Sequence, residues 1–240
     1  MGARRVIVVA IETSTPQTSV AIGHEREILG EVTIAGRARQ ESVVPALDQL
    51  LRWTGLGLPQ VGGVAVGLGP GLFTGLRVGV QTAKTLAQVL HIPIVGLGSL
   101  DVLAHAVRTT RRRIIAVIDG RRGEVFFATY RRVPGGVVRE TAPAVGAPGH
   151  LVAELEADPD DVLAVGNGAI LYHDEIAELG PRVEFATQAT AHPKAAGLVE
   201  LAVPRFLREE SDRPVDVLPV YLRKSDAEIA WDHRAGGAPP

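Results

Sequence analysis

The sequence contains no cysteine in 240 residues. That excludes disulfides, thiolate metal sites and a cysteine nucleophile, and it fits a reducing compartment. Lysine is nearly absent, so arginine carries the positive charge, and the formal net charge is −2. There is no overall basic excess to support strong stand-alone nucleic-acid binding. Arginines do cluster at Arg111, Arg112 and Arg113 and at Arg131 and Arg132, where they read first as solvated edges and turns. No apolar run approaches the roughly 18 residues of a membrane span. The run Val6 to Ile11, behind Met1-Gly2-Ala3-Arg4-Arg5, is too short for a signal segment and ends at Glu12. A soluble, cytoplasmic protein with no membrane partner is expected.

Hydrophobic residues make up 46% of the chain, and glycine is abundant at 27 residues while aromatics are only 4%. Such a mix suits tightly turned α/β structure filled by Val, Ile, Leu and Ala, as one large domain or two lobes. Val6 to Ile11 is a β-branched run of the kind that forms a buried central strand. Thr18 to Gly23 and Ile28 to Ala35 complete an antiparallel meander. Glu41 to Thr54 repeats apolar residues at helical steps and stops at Gly55 and Gly57. Val61 to Gly67 is another buried strand. Thr74 to Leu90 is a second helix, with Thr74 as the expected N-cap. Ser99 is expected to cap a helix running to about Val107.

Ile114 to Ile118 is again β-branched and ends at Asp119. A strand from Glu124 to Tyr130 and the hairpin turn Pro134-Gly135-Gly136 follow. Glu12 and Asp119, 107 residues apart (119 − 12), thus close equivalent strands in two similar meanders. The spacing predicts a duplicated unit with lobes at 1–107 and 108–240, the tail returning to the first lobe. Beyond Ala142 the pattern predicts helices over His150 to Leu155 and Ala169 to Glu178. It also predicts a longer helix over Ala191 to Glu209, interrupted at Pro193 and Pro204. Pro219 to Arg223 is expected to be extended, and Gly236 to Pro240 disordered.

Two segments carry candidate chemistry. Glu12-Thr13-Ser14-Thr15 places an acid and hydroxyls at a strand end, where they can face a phosphate or its hydrated metal ion, with Asp119 opposite. Equally, such a turn can simply satisfy its own backbone. Gly67-Leu68-Gly69-Pro70-Gly71 runs directly into a helix N-terminus, a place where anions bind. It is neither a Walker loop nor a dinucleotide fingerprint. The seven histidines are scattered, with no pair four apart on a helix, and no metal site is expected. No Gly-x-Ser-x-Gly elbow supports a serine hydrolase. Within the second helix, Gly75, Gly79, Ala83 and Ala87 form a ridge of small residues. Interior glycines cost about 1 kcal/mol each relative to alanine, so close packing must compensate, either inside the chain or against a partner.

Several of these segments resemble, in order and spacing, the bacterial TsaB family, also called YeaZ. They are Val8-Val9-Ala10-Ile11-Glu12-Thr13-Ser14-Thr15, Glu41 with Pro45, Gly67-Leu68-Gly69-Pro70-Gly71, Phe73-Thr74-Gly75-Leu76-Arg77-Val78-Gly79, Ser99-Leu100-Asp101, Asp119-Gly120-Arg121-Arg122-Gly123-Glu124-Val125 and Pro219-Val220-Tyr221-Leu222-Arg223. Arg39 and Leu72 depart from the family, where histidine and serine are common. The resemblance implies a two-lobed actin-like, Hsp70-like (ribonuclease H-like) fold and a non-catalytic subunit. Its partners would be a catalytic TsaD-like subunit, a TsaE-like ATPase and, through the complex, tRNA. The assembly transfers a threonylcarbamoyl group to the adenosine beside the anticodon.

The resemblance places partner contacts on the two first-lobe helices, at Val44, Leu47, Leu51, Thr74, Gly75, Leu76, Gly79, Val80, Ala83 and Ala87. It tips the small-residue ridge toward an interface, which a homodimer could share. A leucine at Gly79 is then expected to block pairing and leave the fold intact. Any ATP or ADP with magnesium at Glu12, Thr13, Ser14 and Asp119 would bind weakly. The competing expectations are a stand-alone nucleotide-dependent kinase or transferase, and a peptidase, for which no nucleophile set is present.

Overall fold

The computed structural model describes residues 6–36 and 41–223. Arg39 and the segment Gly236 to Pro240 lie outside the described residues.

The first lobe opens with β1 (Ile7–Glu12), β2 (Gln17–His24) and β3 (Glu27–Ala35). Then come α1 (Val43–Thr54), β4 (Val61–Gly67), α2 (Phe73–Leu90), β5 (Ile94–Leu97) and α3 (Ser99–Ala106). The second lobe follows with β6 (Arg113–Arg121), β7 (Glu124–Val133), β8 (Gly136–Arg139), β9 (Ala144–Gly146) and α4 (Pro148–Glu156). Its remaining elements are β10 (Val162–Val165), α5 (Asn167–Leu171), α6 (His173–Ala177), β11 (Val183–Phe185) and α7 (Ala195–Leu207).

The sheet order of the first lobe is β3-β2-β1-β4-β5 and that of the second is β11-β10-β6-β7-β8. Read from each central strand, both follow one plan. Two antiparallel neighbours lie on one side, β2 and β3 or β7 and β8. Two parallel neighbours lie on the other, β4 and β5 or β10 and β11. The duplication expected from Glu12 and Asp119 is therefore present in the strand order. It is the actin-like plan.

Both sheets are covered on both faces, which is why their central strands read as unbroken apolar runs. On β1, Val9 and Ile11 face α1 and α2. Val8 and Ala10 face α7, whose Leu198, Val199 and Ala202 are fully buried against them. On β6, Ile115 and Val117 face α4 and its neighbours, and Ile114, Ala116 and Ile118 face α3. The layers run α1/α2, first sheet, α7 beside α3, second sheet, α4 to α6. A helix from the second half of the chain thus completes the first lobe. His105 on α3 meets Glu200 on α7 at 2.7 Å, and Arg108 meets the same carboxylate at 3.1 Å.

Some local expectations are revised. Neither Thr74 nor Ser99 is a cap: α2 starts after Leu72 and α3 after Gly98, both without a side-chain cap bond. Ala169 to Glu178 is divided at Tyr172 into two short helices. α7 starts only after Pro193 and then runs through Pro204, which lies on its exposed side. Pro219 to Arg223 pairs with no strand; Val220 N–H donates to the Leu68 carbonyl at 2.8 Å.

The small-residue ridge of α2 faces inward. Gly75, Gly79, Ala83 and Ala87 are buried, as are Leu76 and Val80. The neighbour that demands small residues is the turn after β1. Thr13 Oγ1 donates to the Gly75 carbonyl at 2.7 Å, and a Cβ on Gly79 would stand 2.2 Å from that oxygen. The ridge brings the helix onto the chain's own sheet, so a side chain at Gly79 attacks the fold rather than a partner. Gly79→Ala is expected to lower unfolding stability by about 1–3 kcal/mol through overpacking. Adding Thr13→Ala should restore part of that loss in a urea-unfolding double-mutant cycle. Additive losses in the cycle would show that the two residues do not meet.

Candidate functional site

The end of β1 is the first place to look for chemistry. Glu12, Thr13, Ser14 and Thr15 are all buried, Glu12 completely. Glu12 Oε1 accepts from the Ser14 N–H at 2.8 Å and Oε2 from the Ser99 hydroxyl at 2.9 Å. Parallel pairing of β1 with β4 sets Gly67 beside the carboxylate, and a Cβ there would lie 2.1 Å from Oε2. Ser99 missed its capping role because its hydroxyl serves Glu12 and also accepts from the Gly69 N–H at 3.2 Å. Burial raises the Glu12 pKa, against the pull of its hydrogen bonds to Ser14 and Ser99.

Asp119 repeats the device in the second lobe, with Oδ1 accepting from the Arg121 N–H at 2.9 Å. Its other oxygen lies 3.6 Å from the Arg121 guanidinium, and its side chain is 6% exposed. Neither acid presents an open carboxylate to a hydrated magnesium ion. Thr13 is committed to Gly75, while the Ser14 hydroxyl is buried without a hydrogen-bond partner among the described residues. Among the described residues no group of three or more His, Cys, Asp and Glu side chains could hold a metal ion. The start of α2 is covered as well. Tyr221 packs on Phe73 with ring centroids 4.8 Å apart, and its hydroxyl accepts from Arg77 Nε at 3.1 Å.

The open apolar feature is on the outer side of α1 and α2. A groove of about 480 Å³ runs between them, with Val44, Leu47 and Leu51 on one wall and Leu86 and Val89 on the other. Leu58 closes one end, while Asp48, Gln81, Thr82 and Thr85 add polar groups. Val44 is 61% exposed and Val89 69%. Contiguous exposed apolar surface with a polar border is the character of a protein-docking face.

The expected partner residues therefore divide. Val44, Leu47 and Leu51 line the groove, and Thr74 is exposed at the helix start. Gly75, Leu76, Gly79, Val80, Ala83 and Ala87 belong to the core. Of the residues expected on α2 only Thr74 is exposed, and the groove is also lined by Leu58, Leu86 and Val89, which the sequence pattern did not single out. The signal was available in Thr82, Leu86 and Val89, at i, i+4 and i+7, a second stripe beside the glycine ridge.

Comparison with known proteins bears on this arrangement. The family model for TsaD, tRNA N6-adenosine threonylcarbamoyltransferase, matches residues 32–231. The tRNA threonylcarbamoyladenosine biosynthesis protein TsaB of Bacillus subtilis is 31% identical over 93% of this chain and 97% of its own length. The chain belongs to the TsaB family. The structure titled YeaZ from Pseudomonas aeruginosa superposes with a TM-score of 0.78 at 28% identity, covering 90% of this chain and all of that one. An uncharacterised protein of Mycobacterium leprae is 36% identical over 92% of this chain, which spans 56% of that protein's length. No helix among the described residues of this TsaB-family chain is long and apolar enough to cross a membrane.

The buried Glu12 gives a pH test. Unfolded, its carboxyl ionises near its ordinary value of 4.5; folded, it ionises higher. Its contribution to stability is complete below that ordinary value and is lost as pH rises through the native one. Glu12→Gln removes this term. Relative to Glu12→Gln, the unaltered chain is expected to lose unfolding stability as pH rises above the ordinary carboxyl value of 4.5. Parallel urea-stability profiles for the two proteins would contradict the shift.

Proposed function

We propose that this chain is the non-catalytic partner subunit of a cytoplasmic assembly that builds threonylcarbamoyladenosine on tRNA. The groove between α1 and α2 docks a TsaD-like catalytic subunit. The reading rests on one contrast: the acids at the strand ends are sealed inside the chain, whereas the apolar groove is open. Family membership supports the pathway, because the curated relatives in Bacillus subtilis and Escherichia coli carry that biosynthetic name. A chain with its carboxylates spent on its own backbone has little left for phosphoryl or acyl transfer. What it offers instead is surface. The same groove accounts for self-pairing when the catalytic subunit is absent, since two copies can lay their apolar stripes together about a twofold axis. A TsaE-like ATPase and weak nucleotide binding belong to the complete assembly rather than to this chain alone.

Charges placed in the groove test the reading. Val44→Asp and Val89→Arg alter exposed side chains, so the monomer should keep its unfolding midpoint. Affinity for a TsaD-like partner, by calorimetry, is expected to fall on the order of 30-fold or more, as at an interface hot spot. Unchanged affinity for both variants would remove the groove from the interface. Brisk ATP consumption or tRNA modification by the isolated chain would favour the stand-alone enzyme instead.

A further inference from the structure

The arginine clusters that the sequence marks as solvated edges separate into two kinds. Arg112, Arg113 and Arg131 are held in ion pairs. Arg112 meets Asp161 at 3.1 Å and Glu184 at 2.7 Å. Arg113 and Arg131 share Glu140, at 2.7 and 2.5 Å. Arg111 and Arg132 are exposed, and neither makes an ion pair with another described residue.

Arg132 lines a hollow of about 570 Å³ between the C-terminal end of α3 and the β7–β8 hairpin. Arg108 and Thr109 form the facing wall, and Gly135 and Gly136 supply a rim without side chains. No aspartate or glutamate lines it. Arg108 is pre-positioned: its Nη1 donates to the His105 carbonyl at 3.0 Å, and its Nη2 lies 3.1 Å from Glu200, while 40% of the side chain stays exposed. Glu200 itself opens on a different hollow, beside the β2–β3 turn. Arg111 stands two residues beyond Thr109.

Guanidinium groups, a threonine hydroxyl and bare glycine backbone are the groups that contact nucleic-acid phosphates. On a chain of net charge −2, a hollow lined by two arginines and no acid is a local exception. We propose that this hollow, with Arg132, Arg108 and Arg111, is a direct contact for the phosphodiester backbone of the RNA on which the assembly acts. The inference rests on the function proposed above. Its contacts are non-specific in sequence: they hold the RNA in register and leave the reacting base to the partner. The hollow lies between the end of α3 and the β7–β8 hairpin, whereas the groove lies between α1 and α2, and the two share no lining residue, so one chain can engage partner and RNA together.

The test uses the complex with its TsaD-like subunit and a tRNA transcript, titrated by fluorescence anisotropy at several salt concentrations. Arg111→Ala with Arg132→Ala disturbs no ion pair within the described residues. The double variant should bind tRNA about tenfold more weakly, and its plot of log affinity against log salt should flatten by about 1.4 to 1.8, two phosphate contacts' worth. Partner affinity should not change, and Arg132→Lys should restore most of the salt slope at that position. An unaltered affinity and slope in the double variant overturns the inference and leaves the proposed function standing. Failure of the unaltered complex to bind tRNA overturns both. In a parallel arm, tripolyphosphate is titrated into the isolated chain. Loss of tripolyphosphate binding in the variant, with tRNA binding intact, would make the hollow a small-anion site and also overturn the inference.

Discussion

The buried carboxylate of Glu12 ties together three segments that lie far apart in sequence: the turn after β1, the glycine-rich loop and the start of α3. Its oxygens take the Ser14 N–H and the Ser99 hydroxyl. Ser99 in turn holds the glycine-rich loop, through Gly69 N–H on its hydroxyl and its own N–H on the Gly69 carbonyl. Leu72 N–H closes the ring on the Ser14 carbonyl at 2.7 Å. A carboxyl buried at 0% exposure is costly unless hydrogen bonds replace its water, and here they come from the turn and the start of α3. Removing any one of these donors strands a buried acceptor, so the end of the first sheet behaves as one unit.

The other features of the first lobe follow from that closure. With the turn fixed, Thr13 bonds the Gly75 carbonyl of α2, and a side chain at Gly79 would strike the Thr13 hydroxyl. The glycine cost in the helix interior is thereby matched by close packing inside the chain. The inward face of α2 is fully used, and its outward face is left to form a groove with α1. Closure at the strand end and openness at the helix pair are two outcomes of one packing arrangement.

The two lobes share a plan but differ in how they are finished. Each central strand ends in an acid that accepts the N–H two residues on. The first sheet takes its second covering layer from α7, contributed by the other half of the chain. The segment after α7 then crosses back: Tyr221 sits on Phe73 and Arg77, and Arg223 meets Glu124 of β7 at 2.5 Å. Contacts between distant parts of the chain, rather than a linker, therefore fix how the lobes join.

Much of this was legible beforehand. Unbroken β-branched runs at Val6 to Ile11 and Ile114 to Ile118 mark strands covered on both faces. Apolar spacing marks α1 and α2, and the recurrence of an acid at 12 and 119 marks the duplication. These signals are local, because backbone geometry repeats every two or 3.6 residues whatever lies nearby. What the sequence could not contain was the identity of the neighbour. A small-residue ridge fits a sheet or a partner helix equally well, and only the position of Thr13 decides for the sheet. A turn carboxylate can point outward to a ligand or inward to N–H groups, and only Gly67 and Ser99, brought from 55 and 87 residues away (67 − 12 and 99 − 12), turn Glu12 inward. Periodicity assigns faces to elements; tertiary packing alone decides what each face meets.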